Sequence, residues 1–201
     1  MRKKKSEEVV ETSSVGFIKI FLGSMKSSKT SKLYEIIDQA KYRKKRVCLV
    51  RSSIDTREFV ARFKDEDVDT IICKTMIEDG LLTKLRFYDI ICIDEGQFIK
   101  GMEPICHLLA LEGKEVYIAA LSADCDMKPW DNMTVIIGMA DYIEKLHGAC
   151  EICGSNVSTF TWFTGDKTEQ IHIGDGEYQA LCRKCWDAAW KKKNTISRCQ
   201  D

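Results

Sequence analysis

The sequence predicts an α/β fold, a parallel sheet covered by helices on both faces, followed by a small C-terminal lobe clipped by four cysteines. Three observations carry this. Short apolar runs alternate with longer polar segments of helical period. A strand-like run, Phe17-Ile-Lys-Ile-Phe-Leu22, leads straight into Gly23-Ser-Met-Lys-Ser-Ser28-Lys29-Thr30. Near the other end stand two Cys-x-x-Cys pairs, Cys150-Glu-Ile-Cys153 and Cys182-Arg-Lys-Cys185. Strands separated by helical segments imply parallel pairing through crossover helices, and hence a sheet buried on both sides.

Taken in order, residues 1–14 read as a flexible arm and Val15–Leu22 as the first strand. Ser27–Lys45 reads as a helix, because Leu33, Ile36, Ile37 and Ala40 fall on one face. Arg46–Arg51 and Thr70–Cys73 are strands, and Tyr88–Asp94 is a further apolar strand that ends in acid. Met102–Glu112 reads as a helix, with Pro104 in its first turn, where a missing N–H leaves nothing unpaired. Glu115–Leu121 is again strand-like. Past His147-Gly148 the alternation weakens and loop residues accumulate. The expected division is therefore an α/β domain over 15–147, a metal-binding lobe over 148–192 and a tail over 193–201.

Composition narrows the function. Lys+Arg and Asp+Glu each number 31, so the net charge is zero, which argues against a protein that coats nucleic acid. The basic runs Met1-Arg-Lys-Lys-Lys5 and Lys191-Lys-Lys193 read as solvated ends. No apolar stretch approaches the roughly 18 residues of a membrane-spanning helix. The basic start runs into Ser6-Glu-Glu8 and not into an apolar segment, so a secretory signal is not expected. Ten cysteines without such a signal point to a reducing compartment, and the expectation is a cytoplasmic protein without disulfides.

A strand, a tight loop and a helix N-terminus make an anion site, because backbone N–H groups turn inward and the helix dipole adds positive charge. The spacing predicts a P-loop NTPase-type sheet in which Gly23, Ser24, Met25, Lys26, Ser27, Ser28, Lys29 and Thr30 bind ATP. Lys29 is expected to reach the outer phosphates and the Thr30 hydroxyl to coordinate Mg2+. Ser28 stands where such loops usually carry glycine; a serine fits if its φ stays negative. Asp94-Glu95, at the end of the run Ile90-Ile-Cys-Ile93, supplies two carboxylates at the sheet's carboxyl edge. Phosphoryl transfer has two tasks for acids there: Asp94 suits magnesium and Glu95 suits acceptance of the attacking hydroxyl's proton.

Four thiolates in two Cys-x-x-Cys pairs form the ligand set of a closed structural Zn2+ site, Cys150, Cys153, Cys182 and Cys185. Closing the 28 residues between the pairs costs roughly 3 kcal/mol, which zinc binding of order 10 kcal/mol offsets. His147 and His172 are not needed as ligands. The alternative reading is a zinc ribbon for nucleic acid, with Arg183, Lys184, Trp186 and Trp190 supplying charge and stacking. Those tryptophans recur at helical spacing, however, and suit a packing face.

These motifs together resemble the thymidine kinase family of the cellular, zinc-containing type. The likeness runs through Gly23–Thr30, Asp55-Thr56-Arg57, Asp94-Glu95-Gly-Gln97-Phe98, Ala140–Leu146, both cysteine pairs, Thr159-Phe-Thr161 and Tyr178, over about residues 15 to 190. The resemblance implies a cytosolic kinase that transfers the ATP γ-phosphate to the 5′-hydroxyl of thymidine or deoxyuridine. It implies Glu95 as general base, Asp94 on the magnesium side, Arg57 steadying the transferred phosphate and Asp55 beside it. It also implies a nucleoside pocket of Met25, Phe98, Leu121, Thr161 and Tyr178. The base is then read mainly by main-chain groups of a lasso loop, Gln170, Ile171, His172, Ile173 and Gly174. A homotetramer is implied as well. The chain departs from the family pattern at Ser28, at Leu121-Ser122-Ala123-Asp124-Cys125, at Trp130 and at Trp162-Phe163. Those departures leave open a catalytically weakened, kinase-like regulatory protein that still binds nucleotide.

Overall fold

The computed structural model describes residues 15–54, 68–165 and 177–197. Six parallel strands form the main sheet: β1 (Phe17–Gly23), β2 (Val47–Ser52), β3 (Asp69–Cys73), β4 (Ile90–Ile93), β5 (Glu115–Leu121) and β6 (Tyr142–Leu146). Their order across the sheet is β3-β2-β4-β5-β1-β6. Helices α1 (Lys29–Tyr42), α2 (Leu81–Leu85), α3 (Met102–Leu111) and α4 (Asp131–Met139) connect them. A separate antiparallel pair, β7 (Phe160–Phe163) and β8 (Tyr178–Leu181), leads into α5 (Arg183–Ser197).

The strand residues alternate between two cores, as the two-residue period of a strand requires. On one side Ile18, Ile20, Val50, Ile91, Ile93, Val116 and Ile118 pack with α2, α3 and α4 through Leu85, Ile105, Leu109 and Ile136. On the other, Phe21, Leu49, Ile90, Cys92 and Tyr117 pack under α1 through Leu33, Tyr34, Ile37 and Ala40. All four residues of β4 are buried, the mark of a central parallel strand.

The predicted strands and helices that fall on described residues are present, with ends shifted by at most three residues and Glu115–Leu121 matched at both. The first helix starts at Lys29 and not at Ser27, because Ser28 is left-handed. Within the α/β domain three elements carry too weak a pattern to read from sequence. The five residues of α2 span little more than one turn. The strand β6 mixes Tyr142, Glu144 and Lys145 on a sheet edge, and α4 carries a broad apolar surface with little polar contrast.

Parallel pairing has one consequence for the site. In register, Gly23 lies beside both Leu121 and Leu146, and Ile93 lies beside Val50 and Ile118. The carboxyl ends of β1, β4 and β5 therefore open onto the same edge.

At the opposite edge Asp89 joins the starts of β2 and β4. Its carboxylate accepts the Arg46 N–H at 3.0 Å and the Arg46 guanidinium at 2.8 and 3.2 Å. These hydrogen bonds, assisted by the guanidinium charge and opposed by partial burial, hold Asp89 at a pKa of about 2. A carboxylate ordinarily near 3.9 when unfolded contributes stability above that pH and loses it as pH falls through the folded value. Solvent screens the pair, whose side chains are 50% and 30% exposed, so the effect is small. Asp89→Asn is expected to lower the melting temperature by about 2 °C at pH 7 and to leave it unchanged near pH 2, followed by thermal circular dichroism.

Candidate active site

Gly23 closes β1 where no side chain fits: a Cβ there would come within 2.2 Å of Ser27 Oγ and 2.9 Å of the Leu146 carbonyl. The chain then folds over itself. The Ser24 carbonyl accepts hydrogen bonds from Ser27 Oγ at 2.8 Å and from Lys29 Nζ at 2.7 Å, with Ser24, Ser27 and Lys29 all buried. Lys26 and Ser28 have φ of 60° and 63°. Left-handed Ser28 next to right-handed helical Lys29 is the combination that curls successive N–H groups toward an anion.

The condition read from sequence, that a serine fits at 28 with negative φ, is therefore not met. The loop keeps its path and the serine adopts the left-handed conformation instead, at a cost of about 1 kcal/mol relative to glycine. Its side chain points to solvent and makes no capping hydrogen bond to α1, while its carbonyl accepts the Lys32 N–H at 3.1 Å. The substitution thus strains the loop without breaking it.

Thr30, in the first turn of α1, donates its hydroxyl to both Asp94 oxygens at 3.1 and 3.2 Å. Asp94 also accepts the Glu95 N–H at 3.0 Å. Burial, with the Glu95 charge beside it, raises the Asp94 carboxyl to about 7 against the opposing Thr30 hydrogen bond and Lys29 charge. Two adjoining oxygen donors, one a buried carboxylate short of positive charge, form a set that suits a hard divalent cation such as magnesium.

Glu95 stands at φ 50°, a conformation that persists only where the surroundings hold it. Two residues without an assigned role in the sequence reading hold it. Gln97 donates its side-chain amide N–H to Glu95 Oε2 and accepts the Leu121 N–H at 3.0 Å, so one amide bridges the acid and the end of β5. Asn132 of α4 donates to the Gly96 and Ile99 carbonyls at 3.1 and 2.9 Å, pinning the short 3-10 turn Gly96–Phe98. Gly96 itself lies against β5, where a Cβ would meet Ile118 at 2.8 Å. Gln97 was visible in the motif; Asn132 carried no local signal.

Of the expected pocket residues, Met25 and Thr161 meet directly, the Met25 N–H donating to Thr161 Oγ1 at 3.0 Å. Tyr178 packs against Phe163 at 5.0 Å between ring centres, and its carbonyl accepts Lys26 Nζ at 3.1 Å. Phe98 sits edge-on to Trp130 at 5.5 Å, and Leu121 ends β5. Thus Thr161 and Tyr178 flank the loop, to which Met25 belongs, from the C-terminal lobe, whereas Phe98 and Leu121 lie on the sheet side. Asp55, Arg57 and Gln170 through Gly174 lie outside the described residues. In the divergent segment, Ser122 Oγ is buried with no hydrogen-bond partner. Asp124 is spent on its own turn, accepting the Asp126 and Lys128 N–H groups at 2.9 and 2.8 Å.

The four cysteines converge. The Sγ atoms of Cys150, Cys153, Cys182 and Cys185 lie within 4.8 Å of one another, and Cys153 to Cys182 is 3.7 Å. Tetrahedral Zn–S bonds of about 2.3 Å would separate sulfurs by about 3.8 Å, so the cluster fits the metal. Burial raises the Cys150 thiol, but N–H groups of Cys182, Cys153 and Ile152 outweigh it and bring Cys150 down to about 6. Burial and hydrogen bonding with the other three cysteines, then the Cys150 charge, push Cys185 up to about 12. Trp186 stacks on Trp190 at 5.2 Å and meets Trp162 edge-on at 6.0 Å, beside Phe160. Trp186, Trp162 and Phe160 belong to the lobe's own core with Cys150 and Leu181, whereas Trp190 covers Trp186 from the exposed side.

A phosphate loop and an acidic strand end on one edge of a parallel sheet define a P-loop α/β protein of the phosphoryl-transfer class. A family model described as thymidine kinase matches residues 16–186. A thymidine kinase of Bacteroides thetaiotaomicron is 32% identical, covering 90% of this chain and 92% of that protein. Thymidine kinase 1 of Dictyostelium discoideum is 27% identical over 93% of this chain and 85% of its own length. The vaccinia virus enzyme is 30% identical over 85% and 97%. The chain belongs to the thymidine kinase family and is an ATP-dependent nucleoside kinase.

Relieving the strain at Ser28 gives a direct check on the loop. Ser28→Gly removes the left-handed penalty and forfeits no capping bond, so it should raise stability by about 0.5 to 1 kcal/mol. The melting temperature should rise by about 2 °C, read by calorimetry.

Proposed function

We propose that this chain transfers the ATP γ-phosphate to the 5′-hydroxyl of thymidine or deoxyuridine by in-line displacement. The observation that carries this reading is the contact between Thr30 and Asp94, which joins the phosphate loop to the acidic strand end at 3.1 Å, with Glu95 next in sequence. The loop N–H groups and Lys29 bind the phosphates. Thr30 and Asp94 hold Mg2+, which supplies charge neutralisation on the phosphate oxygens. Glu95, oriented by Gln97, accepts the proton of the 5′-hydroxyl as its oxygen bonds to the γ-phosphorus and the bond to the ADP oxygen breaks. Arg57 and Asp55 act beside the transferred phosphate. Met25, Phe98, Leu121, Thr161 and Tyr178 wall the nucleoside, and the main chain of Gln170–Gly174 reads its base.

Zinc at Cys150, Cys153, Cys182 and Cys185 is the structural metal of a lobe covering 148–192, appended to a nucleotide-binding domain over 15–147. The sulfur distances favour it. A homotetramer is supported by the family resemblance and by the position of β6 at the edge of the sheet among the described residues, where Tyr142 and Ile143 are 59% and 48% exposed. A cytoplasmic location agrees with the absence, among the described residues, of any helix long and apolar enough to cross a membrane. The regulatory alternative rested on Ser28 and the segment 122–125. The loop around Ser28 keeps its curl, and no observation favours that alternative.

With labelled ATP and a panel of nucleosides, thymidine and deoxyuridine should accept phosphate. Glu95→Gln should lower kcat by about 10²- to 10⁴-fold while nucleotide affinity, measured by calorimetry, stays within about twofold. Turnover on purine nucleosides alone would overturn the assigned substrate, and a fully active Glu95→Gln variant would remove the assigned base.

A further inference from the structure

Glu151 sits between two of the clustered cysteines and reaches out of the lobe. Its Oε1 accepts the Ala180 N–H of β8 at 2.7 Å, and both its oxygens accept Lys26 Nζ at 3.0 Å. Lys26 lies in the middle of the phosphate loop, in a left-handed conformation. Its ammonium points to the lobe, donating also to the Tyr178 carbonyl at 3.1 Å. Its main chain is held too: a Cβ on Gly148 would come within 2.7 Å of the Lys26 carbonyl. Two further bonds follow the same seam, Met25 N–H to Thr161 Oγ1 at 3.0 Å and Ser24 Oγ to the Ser158 carbonyl at 3.3 Å. Lys26 therefore differs in task from Lys29, whose Nζ donates to the Ser24 carbonyl.

We infer that Glu151 is a positioning residue that links metal binding at the four cysteines to the shape of the phosphate loop, so that zinc and ATP each strengthen binding of the other. The inference rests on the proposed function, in which the cluster holds zinc and the loop holds ATP. The physical chain is short. A metal bound by Cys150 and Cys153 fixes the path of the two residues between them, and thereby the Glu151 carboxylate. That carboxylate, with the Tyr178 carbonyl, anchors Lys26. An anchored Lys26 keeps the left-handed bend that presents the loop N–H groups to phosphate. Loosening the cysteine knuckle releases the bend. Coupling between two sites is reciprocal, so one factor must describe both effects. The ion pair is half exposed, with side chains 46% and 35% accessible, which sets the factor near the low end of site-to-site coupling, about fivefold.

The test uses the full-length protein, zinc-loaded or stripped with a chelator under reducing conditions, and a non-hydrolysable ATP analogue with magnesium. Analogue affinity is measured by calorimetry, and zinc affinity by competition with a chromophoric chelator. In the wild type, zinc should tighten the analogue about fivefold, and the analogue should tighten zinc by the same factor. Glu151→Gln keeps an oxygen for the Ala180 N–H but loses the charge. Both factors should then fall to within about twofold of unity, with the kinetic change in KM for ATP and not in kcat. Lys26→Met should lose the same coupling, and the double variant no more than either single one. Should stripping unfold the lobe, the zinc-loaded arm decides: Glu151→Gln with zinc retained must bind the analogue about threefold or more weakly. Undiminished coupling in Glu151→Gln overturns the inference while leaving the proposed function intact. A wild-type protein that binds neither zinc nor the analogue overturns both.

Discussion

Parallel pairing of β4, β5 and β1 is the constraint on which the site depends. Parallel strands bring like ends to like edges, so the loop after β1 and the acids after β4 open onto one rim although 70 residues separate Gly23 from Ile93. The hydrogen bonds from Thr30 to Asp94 are the local expression of that alignment. Burial on both faces sets the register, because shifting any strand by one residue would carry its apolar set to the wrong core. The same burial strips water from Asp94 and raises its proton affinity, which a divalent cation would reverse.

The site holds its strain in three left-handed residues that are not glycine, Lys26, Ser28 and Glu95, and each is supported differently. Glu95 is over-determined by neighbours, with Gln97 on its carboxylate and Asn132 on the turn that follows. Lys26 is gripped from the lobe through Glu151 and Tyr178. Ser28 relies on the helix that starts at Lys29, with its own side chain contributing nothing to the cap. Backbone held in sparsely populated conformations is what one finds where N–H groups and carboxylates must be aimed at a reacting group and not at each other.

The C-terminal lobe is small, and among the described residues its own core amounts to Cys150, Leu181 and Trp186 with a rim of aromatic rings. A core of that size leaves the cysteine cluster as the main element ordering the chain around it, in keeping with the general behaviour of small metal-clipped modules. Among the described residues the lobe touches the loop through Ser158, Thr161, Glu151 and Tyr178, which come from three separate stretches of chain. Stiffness in the lobe is thus transmitted to the loop at several points.

Much of this was legible in the sequence because it depends on short-range pattern. The run Phe17–Leu22 followed by the loop spacing, the all-apolar Ile90–Ile93 ending in Asp94-Glu95, and the paired cysteines each carry their chemistry within a few residues. Alternation and helical period then implied the parallel sheet and its two covered faces. Tertiary structure alone decided the rest, since it turns on which distant backbones come close. It set the positive φ of Ser28, which a glycine preference hints at but only the curl of the loop imposes. It drew Asn132 under the turn after Glu95 and brought Lys26 to Glu151 across 125 residues of sequence. Spacing along a chain encodes the residues that act on their neighbours; it does not encode a partner supplied by another layer of the fold.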